Sequence, residues 1–104
     1  MKVIQKANCN NSPKNQTIAD LVKSILLGDE LSINNIYAPG LASINLPEFK
    51  NIDEMIIETA ISHGKVGSSL CSYQVDNAEK YIGFFIEFKT HKAKDVSQII
   101  VTAG

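Results

Sequence analysis

The chain has no excess charge of either sign: ten Lys and Arg stand against eleven Asp and Glu, a formal net charge of −1 over 104 residues. Nucleic-acid binding draws much of its affinity from phosphate contacts and leaves a basic footprint. That footprint is missing, so nucleic acid is not an expected partner. The densest basic run, Lys89, Lys92 and Lys94 with His91, reads as a solvated hairpin turn. Cysteine is scarce as well. Cys9 and Cys71 form no CxxC unit, and no His stands near them at metal-ligand spacing, so neither a metal site nor a disulfide framework is expected. No segment approaches the roughly 20 apolar residues that cross a bilayer, and residues 1–6 lack a signal-like apolar stretch. The expectation is a cytoplasmic protein with reduced thiols. A GxSxG elbow, a phosphate loop and a dinucleotide fingerprint are all absent, and no cofactor is implied.

What is present is ordinary globular material. Hydrophobic residues make up 44% of the chain and charged ones 20%, which is neither the low hydrophobicity nor the high net charge of a disordered segment. The length fits a single domain over residues 1–104. A chain of this size buries about 65% of its unfolded surface, enough for a modest core.

Two helices are predicted in the first half. Residues 8–12 are turn-formers, and Ser12-Pro13 reads as a helix start, with the Ser side chain capping an orphan N–H and Pro placed where its missing N–H costs nothing. Ile18, Leu21, Val22, Ile25 and Leu26 follow at steps of three and four, which puts them on one helical face. Gly28 is a natural stop. A second helix runs over about residues 30–37, capped by Asp29, with Ile33, Ile36 and Tyr37 as its apolar edge, and Pro39-Gly40 ends it. Residues 41–50 are open to two readings, loop or a short edge strand over 42–46 stopped by Pro47.

The second half reads as strands over 54–63, 66–75, 80–89 and 95–103, with turns at His63-Gly64, Asp76-Asn77 and residues 90–94. In the clearest of them Ile82, Phe84, Ile86 and Phe88 share one face, while Tyr81, Gly83, Phe85 and Glu87 share the other. Short connections imply antiparallel neighbours. The resulting class is α+β, with two N-terminal helices packed on a strongly curved antiparallel sheet of about four to five strands. The helices cover the face carrying Phe84 and Ile86. The opposite face keeps Tyr81 and Phe85 in water, and an exposed apolar patch implies an interface. The expected partner there is a second copy, in a homodimer packed sheet to sheet.

Two segments carry a family resemblance. The first is Asn8-Cys9-Asn10-Asn11-Ser12-Pro13-Lys14-Asn15, leading to a helix closed by Leu27-Gly28-Asp29. The second is Ile61-Ser62-His63-Gly64-Lys65-Val66-Gly67, followed by the strand ending Glu87-Phe88-Lys89. Together, in this order and over most of the chain, they resemble bacterial proteins of the nuclear-transport-factor-two-like superfamily, in its SnoaL-like group. The resemblance implies a cone, with helices set into the hollow of a bent sheet and dimers formed through the sheet's outer face. It also implies a range of activity from ketosteroid isomerases and polyketide cyclases to non-catalytic binding domains, so fold does not give function. The stretch between the second helix and the main sheet is shorter than the family's, which implies a smaller or more open pocket. The carboxylate that some relatives carry mid-strand is missing, since Gly83-Phe84-Phe85-Ile86 holds no acid.

An isomerase or cyclase acting on a small apolar carbonyl compound needs a base in the cone and a donor for the enolate oxygen. The titratable candidates are His63, Glu58, Glu87 and Tyr81; each also has a plainer reading as a solvated turn or strand residue. The leading expectation is instead a non-catalytic domain that holds a small apolar ligand, in a cavity lined by Leu21, Ile25, Tyr37, Ile57, Leu70, Phe84 and Ile86, or mediates dimerisation, with the isomerase or cyclase as the alternative. A third reading is a protein-interaction module. Tyr37 and Tyr73 suit either a cavity wall or a bridge between core and water. Cys71 reads as a small buried hydrophobe, and Cys9 as a structural residue near a helix start.

Overall fold

The computed structural model describes residues 1–6 and 12–104, so Cys9 and all but Ser12 of the expected turn over residues 8–12 lie outside the described residues. The chain runs β1 (Lys2–Gln5), α1 (Pro13–Leu27), α2 (Glu30–Ile36), a 3-10 turn (Leu41–Ser43), β2 (Glu54–His63), β3 (Val66–Val75), β4 (Ala78–Phe88) and β5 (Val96–Ala103). The five strands form one sheet in the order β1-β2-β3-β4-β5, with both helices packed on one face. Among the described residues no helix is long and apolar enough to cross a membrane.

The helix boundaries follow from their caps. Ser12 Oγ accepts from Asn15 N at 3.1 Å, with Pro13 in the first turn. Gly28 closes α1 at φ 70°, donating its N–H to Ile25 O and standing where an L side chain would be strained. Asp29 caps α2 by accepting from both the N–H and the hydroxyl of Ser32. The hairpin turns are equally local. Gly64, at φ 59°, takes the first position of the two-residue β2–β3 connection. Asp76 and Asn77, at φ 49° and 66°, form the mirror-image turn that matches strand twist between β3 and β4.

Pairing is antiparallel from β2 to β5. β1 departs from the expected all-antiparallel sheet. It runs parallel to β2, with Val3 opposite Met55 and Ile4 opposite Ile56. Parallel pairing requires a long crossover, and both helices and the following loop supply it. Of the two readings open for residues 41–50 the structure takes the loop, and residues 42–46 do not form a strand. Gly40 and Asn34 decide this: Asn34 Oδ1 accepts from Leu41 N at 2.9 Å and starts a 3-10 turn. Leu41, Ile44, Leu46 and Phe49 then pack half-buried against the core instead of pairing. Phe49 meets the Tyr73 ring edge to face at 5.5 Å.

Two bulges bend the sheet around the helices, one between Ile57 and Thr59 and one between Glu87 and Phe88. The hollow is filled by Ile18, Val22 and Ile25 of α1 against Ile57, Phe84 and Ile86, all buried. The start of α1 is tied to the β2–β3 hairpin: Lys14 Nζ donates to Gly64 O, and Ser62 Oγ donates to Asn15 Oδ1 at 2.6 Å. Gln16 and Gln5 exchange side-chain hydrogen bonds at 2.8 and 3.1 Å, fastening β1 to the same helix.

Gly67 shows how closely helix and sheet meet. A Cβ at this position would overlap the end of the Ile18 side chain. Gly67→Ala should therefore destabilise the fold by about 1–3 kcal/mol through overpacking. Ile18→Val removes the outermost colliding methyl at a cost of about 0.5–1.5 kcal/mol on its own. Urea denaturation should show the double variant less destabilised than the sum of the two; strict additivity would mean the two residues do not collide.

Candidate functional site

The hollow of the sheet is a packed core. Ile25, Ile57 and Ile86 are wholly buried, Phe84 is nearly so, and Tyr37 is buried at the end of α2. Ile25, Tyr37, Ile57 and Ile86 line neither of the two concavities described below, and Phe84 borders only the shallow one on the far side of the sheet. Leu70 lies elsewhere. The alternation of β3 gives its inner positions to Ser69 and Cys71 and turns Leu70 outward with Ser68. Ser69 Oγ satisfies itself on Thr59 O at 2.8 Å and lies 4.0 Å from the buried Cys71 sulfur.

The convex face is where apolar surface meets water. Ile61 is 61% exposed, Tyr81 43%, Ile100 42%, Leu70 40% and Phe85 39%. They are neighbours by register. Ile61, Ser68, Phe85 and Ile100 form one rung across four strands, and Thr59, Leu70, Gly83 and Thr102 form the next. Gly83 has no side chain to fill its place. The result is a shallow depression of about 250 Å³ bordered by Thr59, Leu70, Phe85, Ile100 and Thr102. Neither rung carries a charge. Charges gather at the margin: Lys6 Nζ lies 2.5 Å from Glu58 Oε1, Glu87 Oε1 accepts from Ser97 Oγ at 3.2 Å, and the Tyr81 hydroxyl donates to Glu79. That last bond and the Glu79 charge raise the Tyr81 pKa.

A second concavity, a cleft of about 500 Å³, opens between α1, α2 and the β4–β5 loop. Leu21, Ile33, Ile36 and Phe88 form its apolar floor, and Asp20, Lys94 and Asp95 stand on its rim. Of the residues expected to line a cavity, Leu21 reaches this cleft. Ile33 and Ile36 were legible as the apolar edge of the second helix. Their meeting with Phe88 and the loop depends on how α2 is docked, which periodicity does not report.

The candidate bases point away from the core. His63 ends β2 exposed, opposite Val66. Glu87 shares the convex face with Phe85. Glu58 sits at the β2 bulge, with Lys6 on one carboxylate oxygen and the Ser72 hydroxyl donating to the other at 2.5 Å. The Lys6 bond first, and the Ser72 bond second, lower the Glu58 pKa against the opposing effect of burial. A general base working near neutrality needs the reverse shift. Among the described residues no group of three or more His, Cys, Asp or Glu is arranged to hold a metal ion.

Comparison with known proteins adds no analogue: no family model, curated protein or solved structure matches the chain.

Because the lowered pKa marks an ionised Glu58 that stabilises the folded state, its contribution is present above the ordinary carboxylate range and is lost as pH falls through the folded-state value. Glu58→Gln should lower stability at pH 7 by about 0.5–1 kcal/mol. The difference from the parent should shrink towards zero below about pH 4. Chemical denaturation at pH 7 and pH 3 checks this, and a gap that widens in acid would refute it.

Proposed function

We propose that this chain is a shortened, non-catalytic cone domain of the nuclear-transport-factor-two-like type, and that it acts by association, pairing with a second copy through the convex face of its sheet. The observation that carries this reading is the uncharged apolar patch at the centre of that face, edged by the Lys6–Glu58 ion pair and by hydrogen-bonded polar groups. Interface cores are depleted of charge and edged by a polar rim in the same way. The patch also has a knob and a hole of its own. Phe85 and Leu70 project beside the depression over Gly83, so a two-fold arrangement sets the projections of one copy into the depression of the other. Four strands about 4.8 Å apart and some eight residues long offer roughly 500 Å² per copy, near the lower bound for a specific interface. The packed hollow and the ionised, outward Glu58 both weigh against an isomerase or cyclase.

Mass in solution tests this. The native protein should sediment as an association product at high micromolar concentration. Phe85→Lys, a change at an exposed position, should halve the mass while leaving the circular dichroism spectrum unchanged. A native chain that stays strictly monomeric refutes the reading.

A second reading rests on the cleft, whose volume lies within the roughly 300–1,000 Å³ of small-molecule sites. Its apolar floor suits a small apolar ligand. Native mass spectrometry of gently purified protein should show a co-purified adduct that Ile36→Trp, which fills the cleft, removes. A bare native chain would end this second reading.

A further inference from the structure

The two edges of the sheet are built differently. β1 is four residues long, begins with Lys2 and is followed by Lys6. Short strands and lysines are the devices by which proteins block edge pairing. β5 has neither protection. Val96–Ala103 contains no charge and no proline, and it is rich in the β-branched residues that favour strands. The Tyr37–Val96 bridge covers its first residue. Among the described residues no strand lies beyond it.

The orientation of its backbone groups follows from the ladder. Tyr81 and Gly104 exchange both hydrogen bonds, at 3.0 and 3.1 Å. Alternation along an antiparallel pair then turns the backbone groups of Thr102, Ile100 and Gln98 towards β4 and those of Ala103, Val101 and Ile99 away from it. Three successive outward N–H and C=O sets form an open template.

We propose that the free edge of β5 pairs antiparallel with β5 of a second copy, about a two-fold axis beside Ile100, to make one sheet continuous across both molecules. This interface is separate from the convex-face pairing and does not depend on it. The occupant is a second copy because the strand complements itself in this register. Ile99 and Val101 of each chain exchange backbone hydrogen bonds with Val101 and Ile99 of the other. On the convex side Ile100 meets Ile100, and Gln98 meets the Thr102 hydroxyl. The exposed strip through Phe85 and Ile100 thereby continues into the same strip of the second molecule.

The decisive variant is Val101→Pro. It removes an outward N–H and none of the β4–β5 ladder, the setting in which an edge proline is tolerated. Light scattering or sedimentation at high micromolar concentration should show the mass of the native protein halved, with the circular dichroism spectrum retained. A charge pair tests the register without proline. Gln98→Lys with Thr102→Lys sets like charges opposite each other across the joint and should dissociate it, whereas Gln98→Lys with Thr102→Glu should remain associated. Phe85→Lys separates the two interfaces: edge pairing survives it, and Phe85→Lys with Val101→Pro should be monomeric. A native mass unchanged by Val101→Pro, equal behaviour of the two charge pairs, or a native chain that is monomeric throughout overturns edge pairing. A loss of association with Phe85→Lys alone that leaves nothing for Val101→Pro to change also overturns it, while leaving the convex-face reading intact.

Discussion

The seating of one helical stripe in the hollow of the sheet holds this molecule together. Ile18, Ala19, Val22 and Ile25 have no exposed surface, and they are covered by strands rather than by a second helical layer. A bent sheet of this size is marginal on its own, and a lone helix of 15 residues scarcely less so. Burying each large aliphatic or aromatic side chain contributes about 1.5–3 kcal/mol, and every such contribution here requires both layers at once. This explains why the helix is fastened at its start by polar bonds to the β2–β3 hairpin and to β1. Those bonds fix where along the sheet the stripe lands. Gly67 then permits the closest approach, at Ile18.

Wrapping a sheet around one helix has a consequence for its other side. The bulges that curve the strands towards α1 make the opposite face convex, and convexity spreads its side chains apart. That face is furnished sparsely, with Ser68, Thr59, Thr102 and the bare Gly83 between Leu70, Phe85 and Ile100. Water therefore reaches both the rings and the gaps between them. A flat exposed sheet would normally carry charges here. This one has moved them to its margin, where Lys6 and Glu58 satisfy each other beside Ser72.

Local chemistry was legible in the sequence wherever a single residue settles the matter. Ser12, Gly28 and Asp29 mark the helix ends, Asp76-Asn77 marks a hairpin, and the alternation of Ile82, Phe84, Ile86 and Phe88 marks the buried side of β4. Three features were not legible, each because it depends on residues far apart in the chain. β1 contains little more than Val3 and Ile4, and its strand state comes from Met55 and Ile56 beside it. The extended look of residues 42–46 loses to a side chain seven positions before Leu41, that of Asn34. Leu70 has the hydrophobicity of a core residue, but the pleat of β3 assigns the interior to Ser69 and Cys71, which a hydroxyl bonded to Thr59 O makes possible. The candidate site was legible to a similar degree. Tyr81 and Phe85 announce an apolar outer face, whereas the contributions of Ile61, Leu70 and Ile100 appear only when register sets them side by side.

Register also makes β5 the strand on which both exposed surfaces converge. Ile100 stands in the same rung as Phe85 and Ile61, so it belongs to the convex patch; its neighbours Ile99 and Val101 turn their backbone groups to the open edge. One uncharged strand thus borders water with its side chains in one direction and with its hydrogen-bonding groups in another. The chain is not short of charge with which to protect it, since Lys and Asp crowd the neighbouring β4–β5 loop at Lys89, Lys92, Lys94 and Asp95. Those charges stop at Val96, where the strand begins. A protein that guards its β1 edge with lysines and leaves β5 bare treats its two edges differently, and contact between strands accounts for that difference more simply than solubility does.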